Sequence, residues 1–334
     1  MRPNGVILEL ELKMINKPTV LITGGNGFIG RALTDRLLHE GYNVRVVTRH
    51  IPKQQPANPS VTLVQADYQN TASLQKVMEG CIGVFHLAAA IFGFNYNDFK
   101  RANIDVTTHV IDAVNKTLSI TTYVQVSSLA ASGYAPDKDH PRTEEMVPAP
   151  VSDYGITKQA AEEVLKKNIR PGVKWTIVRP PIVYGKNDSG VSKIALWVKR
   201  GLMVNTSGNG YFSFVHVSDL VEALYQAFVR KDTGGETYFI TEEQTYSWDY
   251  FITEMAQAMN VKKPFMPSAP KWMMHIAAKI YEGCAKLTGT LPALNYDKVT
   301  EATIPGHWIC SGKKWQTLTG QKFTPLKEGL KKSF

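Results

Sequence analysis

Several features that mark extracellular, membrane-spanning or nucleic-acid-binding proteins are scarce in this 334-residue sequence. The three cysteines, Cys81, Cys284 and Cys310, are odd in number and widely spaced, so they indicate neither a disulfide framework nor a metal site and are typical of a reducing compartment. No apolar run approaches the roughly 20 residues that a membrane-spanning helix requires. The net charge of +9 is not gathered into a basic stripe or a nucleic-acid motif. We therefore expect a cytoplasmic protein that binds no nucleic acid.

The N-terminal segment also lacks the pattern of a signal peptide. Its apolar patch, VILELEL, is interrupted by Glu9 and Glu11. Residues 1–17 are predicted to be an extension ahead of the fold, in which Met14 is an alternative start. The remaining length is enough for one large domain or two unequal ones.

Residues 18–50 read as a strand, a glycine-rich turn, an amphipathic helix and a second strand. This βαβ pattern predicts a parallel sheet that is buried on both faces. Glycines at the spacing of the turn permit a tight bend, close approach of a pyrophosphate and close packing of helix on strand, while the helix N-terminus attracts the phosphate. The sequence therefore predicts dinucleotide binding by Thr23, Gly24, Gly27, Phe28, Ile29 and Gly30.

The end of the second strand indicates which dinucleotide is preferred. A cofactor without a 2′-phosphate is usually met there by an acidic residue. This strand instead runs into Thr48, Arg49 and His50, and an arginine can pair with a 2′-phosphate. The sequence favours NADP(H), with Arg49 as the selecting residue, and NAD(H) is the alternative.

The later strands place further candidates at the same edge of the sheet. A third strand ends at Asp67, and a fourth ends in Ala88 and Ala89, whose small side chains allow a cofactor to come close. A fifth strand ends in Ser127 and Ser128. Because ligands bind at the carboxyl ends of parallel strands, these residues are candidates for the site.

The motif YGITK opens the helix that follows the fifth strand. Tyr154 and Lys158 are four residues apart, so they share one face of that helix. An ammonium beside a phenol favours the phenolate, which is the property of an acid/base catalyst at neutral pH. With the serine, the pair predicts a catalytic centre next to the nicotinamide.

These motifs together resemble those of an extended short-chain dehydrogenase/reductase of the epimerase/dehydratase-like branch. The matching pieces, in the family's order, are TGGNGFIG, ADYQN, FHLAAA, NIDVTT, VSSLAASG, YGITK, RPPIVYG and FVHVSDLVEA, within residues 18–230. The resemblance implies an α/β fold: a Rossmann-type, doubly wound parallel sheet with a smaller C-terminal α/β subdomain that binds the substrate. It also implies a homodimer formed through the helices around 97–116 and 153–168.

The resemblance implies a role for each matching residue. Tyr154 is the general acid/base, Lys158 holds the nicotinamide ribose and lowers the pKa of Tyr154, and Ser128 polarises the substrate oxygen. Ser127 competes with Ser128 for that role and is also a cofactor-site candidate. Asn103 is expected to be tied to backbone or water near the lysine, and Asp67 is expected to meet the adenine.

Two departures from the family pattern indicate the substrate class. Pro181, in RPPIVYG, stands where sugar-nucleotide enzymes carry an asparagine that contacts the diphosphate, and proline has no such donor. Tyr211, Phe212 and Ser213 occupy the region where those enzymes carry a phosphate-binding arginine. These replacements resemble the dihydroflavonol-reductase and 3β-hydroxysteroid-dehydrogenase-like branch. Pro181 is counted with the cofactor-site residues.

The leading hypothesis is an NADP(H)-preferring oxidoreductase that interconverts a carbonyl and an alcohol on a fairly apolar small molecule. One alternative is a nucleotide-sugar epimerase, dehydratase or reductase. The other is a regulator that senses NADP without chemistry. The predicted Rossmann domain covers residues 18–180, and residues 181–334 form mainly the substrate subdomain, with 210–240 returning to the Rossmann core.

One C-terminal stretch, KWMMHIAAKIYEGCAKL, predicts an amphipathic helix. Its apolar stripe consists of Trp272, Met273, Ile276, Ala277 and Ile280. We interpret this stripe as part of the core. The alternatives are a wall of the substrate pocket or a helix that rests on a membrane surface, so peripheral membrane contact stays open.

Overall fold

The computed structural model describes residues 17–51, 56–205, 208, 210–288 and 296–334. Of the extension predicted over residues 1–17, all but Lys17 lies outside the described residues. Within the described part, no helix combines the length and the apolarity that crossing a membrane demands.

The centre of the molecule is a parallel sheet of seven strands, in the order β3-β2-β1-β4-β5-β6-β10. The first six strands have the Rossmann order 3-2-1-4-5-6, and β10 extends the sheet beyond β6. The predicted fold class is therefore confirmed. The strands of the sheet are β1 (Thr19–Thr23), β2 (Asn43–Thr48), β3 (Val61–Gln65), β4 (Cys81–His86), β5 (Thr122–Val126), β6 (Lys174–Arg179) and β10 (Glu236–Phe239).

Helices cover both faces of this sheet. Side chains of a strand alternate between faces, so Val20 and Ile22 pack on one side and Leu21 packs on the other. The helices are α1 (Phe28–His39), α2 (Thr71–Met78), α3 (Tyr96–Phe99), α4 (Val106–Lys116), α5 (Asp153–Asn168), α6 (Ser189–Lys199), α7 (Val217–Val229), α8 (Trp248–Ala258), α9 (Lys271–Thr288), α10 (Tyr296–Thr303), α11 (Lys313–Thr319) and α12 (Leu326–Ser333). Helices α1 and α7 pack on the first face, and α2, α4 and α5 pack on the second.

A smaller assembly stands beyond the carboxyl edge of the sheet. It contains two short pairings: β7 (Ile182–Tyr184) with β9 (Phe214–His216), and β8 (Tyr211–Phe212) with β11 (Tyr246–Ser247). Helices α6, α8 and α12 pack around a core of its own that includes Phe214, Phe251 and Leu330. Helix α7 and strand β10 rejoin the large sheet. The division of the chain into domains stays a prediction.

Helix α9 is present as predicted, but the interpretation of its stripe as core is wrong. Trp272 is 64% exposed, Ile276 51% and Ile280 63%. The helix instead buries Met274 and Ala278 against Val299 of α10. Apolar residues occupy both sides of this helix, so periodicity alone did not reveal which side faces the protein.

Candidate active site

The glycine turn joins β1 to α1 in a conformation that excludes side chains. Gly24 has φ +72°, and a Cβ there would lie 2.7 Å from the backbone nitrogen of Ala88. A Cβ on Gly30 would lie 2.5 Å from the carbonyl oxygen of Gly24. Helix α1 begins at Phe28, and no side chain caps it at Gly27, so its first N–H groups are available to an anion.

A groove of about 1070 Å³ lies along the carboxyl ends of β1, β2, β3 and β4. Five of the predicted cofactor residues line it: Gly24, Arg49, Asp67, Ala88 and Ala89. Its size is at the upper end for small-molecule sites, and its glycine turn and arginine suit the phosphates of a dinucleotide. The groove therefore fits a nicotinamide dinucleotide, without distinguishing NADP(H) from NAD(H).

Tyr68 is a residue of this groove that the sequence analysis missed. Its hydroxyl accepts a hydrogen bond from the Gly24 backbone nitrogen at 3.4 Å and donates to the Val47 carbonyl oxygen at 3.2 Å. Burial raises the pKa of Tyr68. Its position directly after Asp67, at the end of β3, is the signal that would have placed it here.

A buried polar chain supports the turn from behind. The Thr23 hydroxyl lies 2.7 Å from His86 Nδ1 and accepts from the Ala88 backbone nitrogen at 3.2 Å. His86 Nε2 lies 3.0 Å from the Thr107 hydroxyl. Burial, assisted by the charge of Lys158, lowers the pKa of His86 to about 3, so the ring is neutral. These contacts tie β1 to β4 beneath the groove.

Asn103 is buried in a π-helical turn, Lys100–Asp105, between α3 and α4. Its Oδ1 accepts from the Ala90 backbone nitrogen at 2.8 Å, and its Nδ2 donates to the Thr157 hydroxyl at 3.1 Å. π-Turns often mark functional sites. Here the turn lets one amide join the loop after β4 to helix α5, next to Lys158.

Helix α5 carries the Tyr/Lys pair at its beginning, where the Ser152 hydroxyl caps it by accepting from the Gly155 nitrogen. The buried Lys158 ammonium donates to the Val126 carbonyl oxygen at the end of β5, at 2.7 Å. Burial lowers the pKa of Lys158 to about 8, against the opposing effect of Glu162. The lysine is therefore mostly protonated at neutral pH.

The two serines after β5 have different surroundings. Ser127 is buried and donates to Glu162, whose carboxylate also accepts two hydrogen bonds from Arg179, at 2.9 and 2.6 Å. Ser128 accepts from the Ala130 nitrogen at 3.1 Å, and its hydroxyl is close enough to the Tyr154 phenol to lower the pKa of that phenol. Ser128 is thus the serine that lies beside the tyrosine.

A second cavity, of about 300 Å³, opens over Ser128 and Tyr154. Pro181 was predicted among the cofactor-site residues, but it lines this cavity and not the groove. The wall is mainly apolar and comes from both parts of the chain: Leu129, Ala130, Ile182, Phe212, Trp248, Ala302 and Trp308. The aromatic residues after 240 belong to no motif, so the sequence alone did not predict their place in this wall.

Helix α10 supplies the charged groups of the second cavity. The Lys298 ammonium lies 4.5 Å from the centroid of the Tyr154 ring and 2.7 Å from Glu301. Asp297 accepts from the backbone nitrogens of Asp153, at 2.6 Å, and Tyr154, at 3.3 Å. Acidic groups of α10 therefore hold the first turn of α5, and with it the tyrosine.

The pKa of Tyr154 differs from the expectation. Burial raises it, while the charge of Lys298 and the hydrogen bond with Ser128 lower it. Lys158 was expected to be the acidifying cation, but its ammonium bonds to Val126 instead. Burial lowers the pKa of Lys298, but Glu301, Tyr154 and Asp297 together raise it by more. The Lys298 side chain is therefore protonated where it lies beside the phenol.

The parallel sheet, the glycine turn and the helix bearing Tyr154 and Lys158 define an NAD(P)-dependent oxidoreductase of the short-chain dehydrogenase/reductase type. The sequence model of the NAD dependent epimerase/dehydratase family matches residues 20–241, and the chain belongs to that family. The resemblance stated from the motifs is therefore confirmed.

Relatives differ in how much of the chain they share. An uncharacterised protein of Sinorhizobium fredii, y4nG, is 35% identical over 214 residues, which are 63% of this chain and about half (53%) of that protein. A Stigmatella aurantiaca 4-hydroxy-2-methyl-3-oxo-4-farnesyl-3,4-dihydroquinoline-1-oxide ketoreductase is 28% identical, covering 72% of this chain and 73% of its own. The Arabidopsis thaliana 3beta-hydroxysteroid-dehydrogenase/decarboxylase isoform 1 is 25% identical, covering 94% and 78%.

Solved structures share the fold. MoeE5, in complex with UDP-glucuronic acid and NAD, has a TM-score of 0.73 at 24% identity and covers 93% of this chain and 96% of its own. The human epimerase family protein SDR39U1, with NADPH, has a TM-score of 0.74 at 15% identity and covers 94% and 98%. Both nicotinamide cofactors therefore occur on this fold.

Proposed function

We propose that the protein is an NADP(H)-preferring oxidoreductase that interconverts a carbonyl and an alcohol on a fairly apolar small molecule. The observation that carries the proposal is the second cavity, in which Ser128 and Tyr154 share a mainly apolar space with Phe212 and Trp308. An apolar wall with a few convergent polar groups is typical of a site for an apolar reactant. The ketoreductase and hydroxysteroid dehydrogenase among the relatives agree with this class.

The residues of the cavity divide the work of the reaction. The nicotinamide cofactor, when bound, supplies or accepts the hydride. Tyr154 donates its phenolic proton to the substrate oxygen in reduction and takes it back in oxidation. Ser128 binds that same oxygen and orients it towards the phenol. Lys158 would hold the nicotinamide ribose, Lys298 supplies the positive charge beside the phenol, and the apolar walls exclude water from the reacting oxygen.

The groove would hold the cofactor. The glycine turn and the start of α1 would bind its pyrophosphate, and Asp67 would meet its adenine. Lys158 stays among the proposed contacts because its ammonium has N–H groups beyond the one bonded to Val126. The proposed contact residues are Gly24, Gly27, Phe28, Ile29, Gly30, Arg49, Asp67, Ala88, Ala89, Tyr154 and Lys158. Thr23, Asn103 and Ser127 act indirectly, because the polar side chain of each is buried and already bonded within the protein.

Replacement of the phenol tests the catalytic proposal. Tyr154→Phe should lower kcat at least 10²-fold, the scale of general acid–base help, with little change in cofactor affinity. Turnover is measured by nicotinamide absorbance with a panel of steroid-like, flavonoid-like and sugar-nucleotide carbonyls and alcohols. Tyr134→Phe, which changes a tyrosine outside both cavities, is the matched control. Full activity of Tyr154→Phe would remove this residue from the mechanism.

Replacement of Arg49 tests the cofactor preference separately. Arg49 lines the groove at the end of β2, the position at which a cofactor without a 2′-phosphate is usually met by an acidic residue. Arg49→Ala should weaken NADPH binding about tenfold and leave NADH binding nearly unchanged, because only NADPH carries the 2′-phosphate. Fluorescence titration with both cofactors measures this. Tighter NADH binding in the unaltered protein, unaffected by the substitution, contradicts the preference.

The panel also separates the rival functions. A nucleotide-sugar epimerase would retain a tightly bound cofactor and show no net redox turnover, whereas a sensor would bind NADP without turning over any compound. The two hydroxyls in an open cavity favour chemistry over sensing. A cytoplasmic location and a homodimer stay predictions.

A further inference from the structure

The exposed side of helix α9 is an apolar surface that the proposed reaction does not use. Trp272, Ile276, Ile280 and Leu287 are 64, 51, 63 and 89% exposed. They follow one another at intervals of four, four and seven residues, which place them on one side of a helix. Isolated exposed apolar residues are ordinary, but four large ones on one helix mark an interaction surface.

The opposite side of α9 attaches it to the protein. Met274, Ala278 and Ala285 are buried there, and the first two pack against Val299 of α10. The helix is therefore anchored, and its largest apolar side chains point to solvent. At 18 residues it does not meet the requirement for crossing a bilayer, so a membrane contact would be parallel to the surface.

The charge around α9 identifies the kind of partner. Residues 261–288 contain five lysines and one acidic residue, Glu282. Lys271 and Lys279 lie on α9 itself, and Lys262 and Lys263 precede it, of which Lys263 pairs with Asp249 at 2.6 Å. Phe265, which is 71% exposed, lies between these two pairs. A basic, apolar, tryptophan-containing helix face is complementary to a bilayer surface that carries anionic lipids.

We propose that α9 is a peripheral membrane-binding helix that docks the enzyme on anionic lipid bilayers. Its apolar face enters the boundary between headgroups and acyl chains, and its lysines contact the headgroups. Helix α10, which packs under α9, carries Lys298, Glu301 and Ala302 of the second cavity. When α9 is docked, α10 therefore lies between the membrane-bound helix and the second cavity. This inference does not depend on the reaction proposed above.

Vesicle flotation of the full chain tests the proposal. Wild type should float with phosphatidylcholine vesicles that contain phosphatidylglycerol and bind pure phosphatidylcholine at least fivefold more weakly. A triple variant, Trp272→Ser, Ile276→Ser and Ile280→Ser, should lower partitioning about tenfold or more because the inserted apolar area is lost. The matched control, Leu118→Ser with Val147→Ser, changes residues that are 81 and 84% exposed elsewhere and should float like wild type.

Cys284 offers an independent probe. All three cysteines are described, and of these Cys284 alone is exposed. An environment-sensitive fluorophore attached to it should shift to the blue when anionic vesicles are added, and Lys271→Glu with Lys279→Glu should reduce that shift at least fivefold.

Three outcomes would overturn the proposal. The wild-type protein does not float with the vesicles, or the triple variant floats as well as wild type. In the third outcome, wild type self-associates but does not bind vesicles, and the triple variant no longer self-associates. The last would identify a second copy of the chain as the partner. Because the changed side chains are exposed, the triple variant should keep the wild-type Tm, which distinguishes lost binding from lost folding.

Discussion

Tyr154 is a phenol whose ionisation is opposed by its surroundings. Burial raises its pKa, and the neighbouring Glu301 carboxylate acts in the same direction. A phenol that stays protonated is ready to donate to a substrate oxygen, as reduction requires. Oxidation requires the phenolate, and the cation that favours phenolate is Lys298. In the proposed mechanism, the balance between Lys298 and Glu301 would set the pH range over which Tyr154 can donate or accept the proton.

Removal of this cation should move the pH dependence of oxidation. In Lys298→Met the pKa of Tyr154 rises further, so kcat for alcohol oxidation, which increases with pH as the phenolate forms, should shift to higher pH by about one unit. At neutral pH this corresponds to about a tenfold loss. The measurement is kcat against pH at saturating cofactor.

Lys298→Arg keeps the charge and should keep the profile near that of wild type. A Met variant whose profile coincides with wild type, even if its KM changes, would restrict Lys298 to substrate binding.

Ser127 and Ser128 show how much of the candidate site could be predicted from the sequence at the scale of single residues. The motifs predicted Tyr154 and Lys158 and favoured Ser128, with Ser127 as its competitor. Successive side chains at the end of a strand point to opposite sides. Glu162, 35 residues away in the sequence, binds the Ser127 hydroxyl, and Ser128 is therefore the serine that faces the cavity. That contact is tertiary, and no local pattern records it.

At the scale of elements, the strands and helices of the nucleotide-binding half were predictable because each βαβ unit repeats a local pattern with a fixed handedness. Helix α10 was not. Its three important side chains, Asp297, Lys298 and Glu301, act on the first turn of α5, more than 140 positions earlier in the chain. Helix α9 was predicted as a helix, but its orientation depended on Met274 and Ala278, which found a partner in α10.

At the scale of the whole molecule, the sheet and the smaller assembly meet at a buried carboxyl group. Glu242 follows β10 and accepts from the Tyr246 hydroxyl at 3.0 Å. Its Oε1 has no hydrogen-bond partner among the residues that the structure describes. Burial, assisted by Asp219, raises the pKa of Glu242 to about 7. Ionisation of this group above neutral pH therefore destabilises the junction.

The sign of this effect predicts a pH-dependent change in stability. An unfolded glutamate ionises near pH 4.5, so the folded state binds the extra proton between that pH and about 7, and stability falls as pH rises through this range. Glu242→Gln removes the charge. It should raise Tm at pH 8 by roughly 1–2 °C, equivalent to about 1 kcal/mol, and change it little at pH 5.

Calorimetry at both pH values measures this, with the exposed Glu79→Gln as the control variant. An equal change in Tm at pH 5 and pH 8 would show that the amide alters packing and that the carboxyl charge is not the cause.

The seventh strand of the sheet has a consequence for biosynthesis. Strand β10 pairs with β6 from Glu236 opposite Thr176 to Phe239 opposite Arg179. As the polypeptide emerges from the ribosome, β6 has no neighbour on this side until residue 239 has been translated. An uncovered strand edge recruits other nascent chains. The interval between the two strands is therefore the period in which the growing protein is most exposed to aggregation, and a fragment that stops at residue 180 keeps that vulnerable edge permanently.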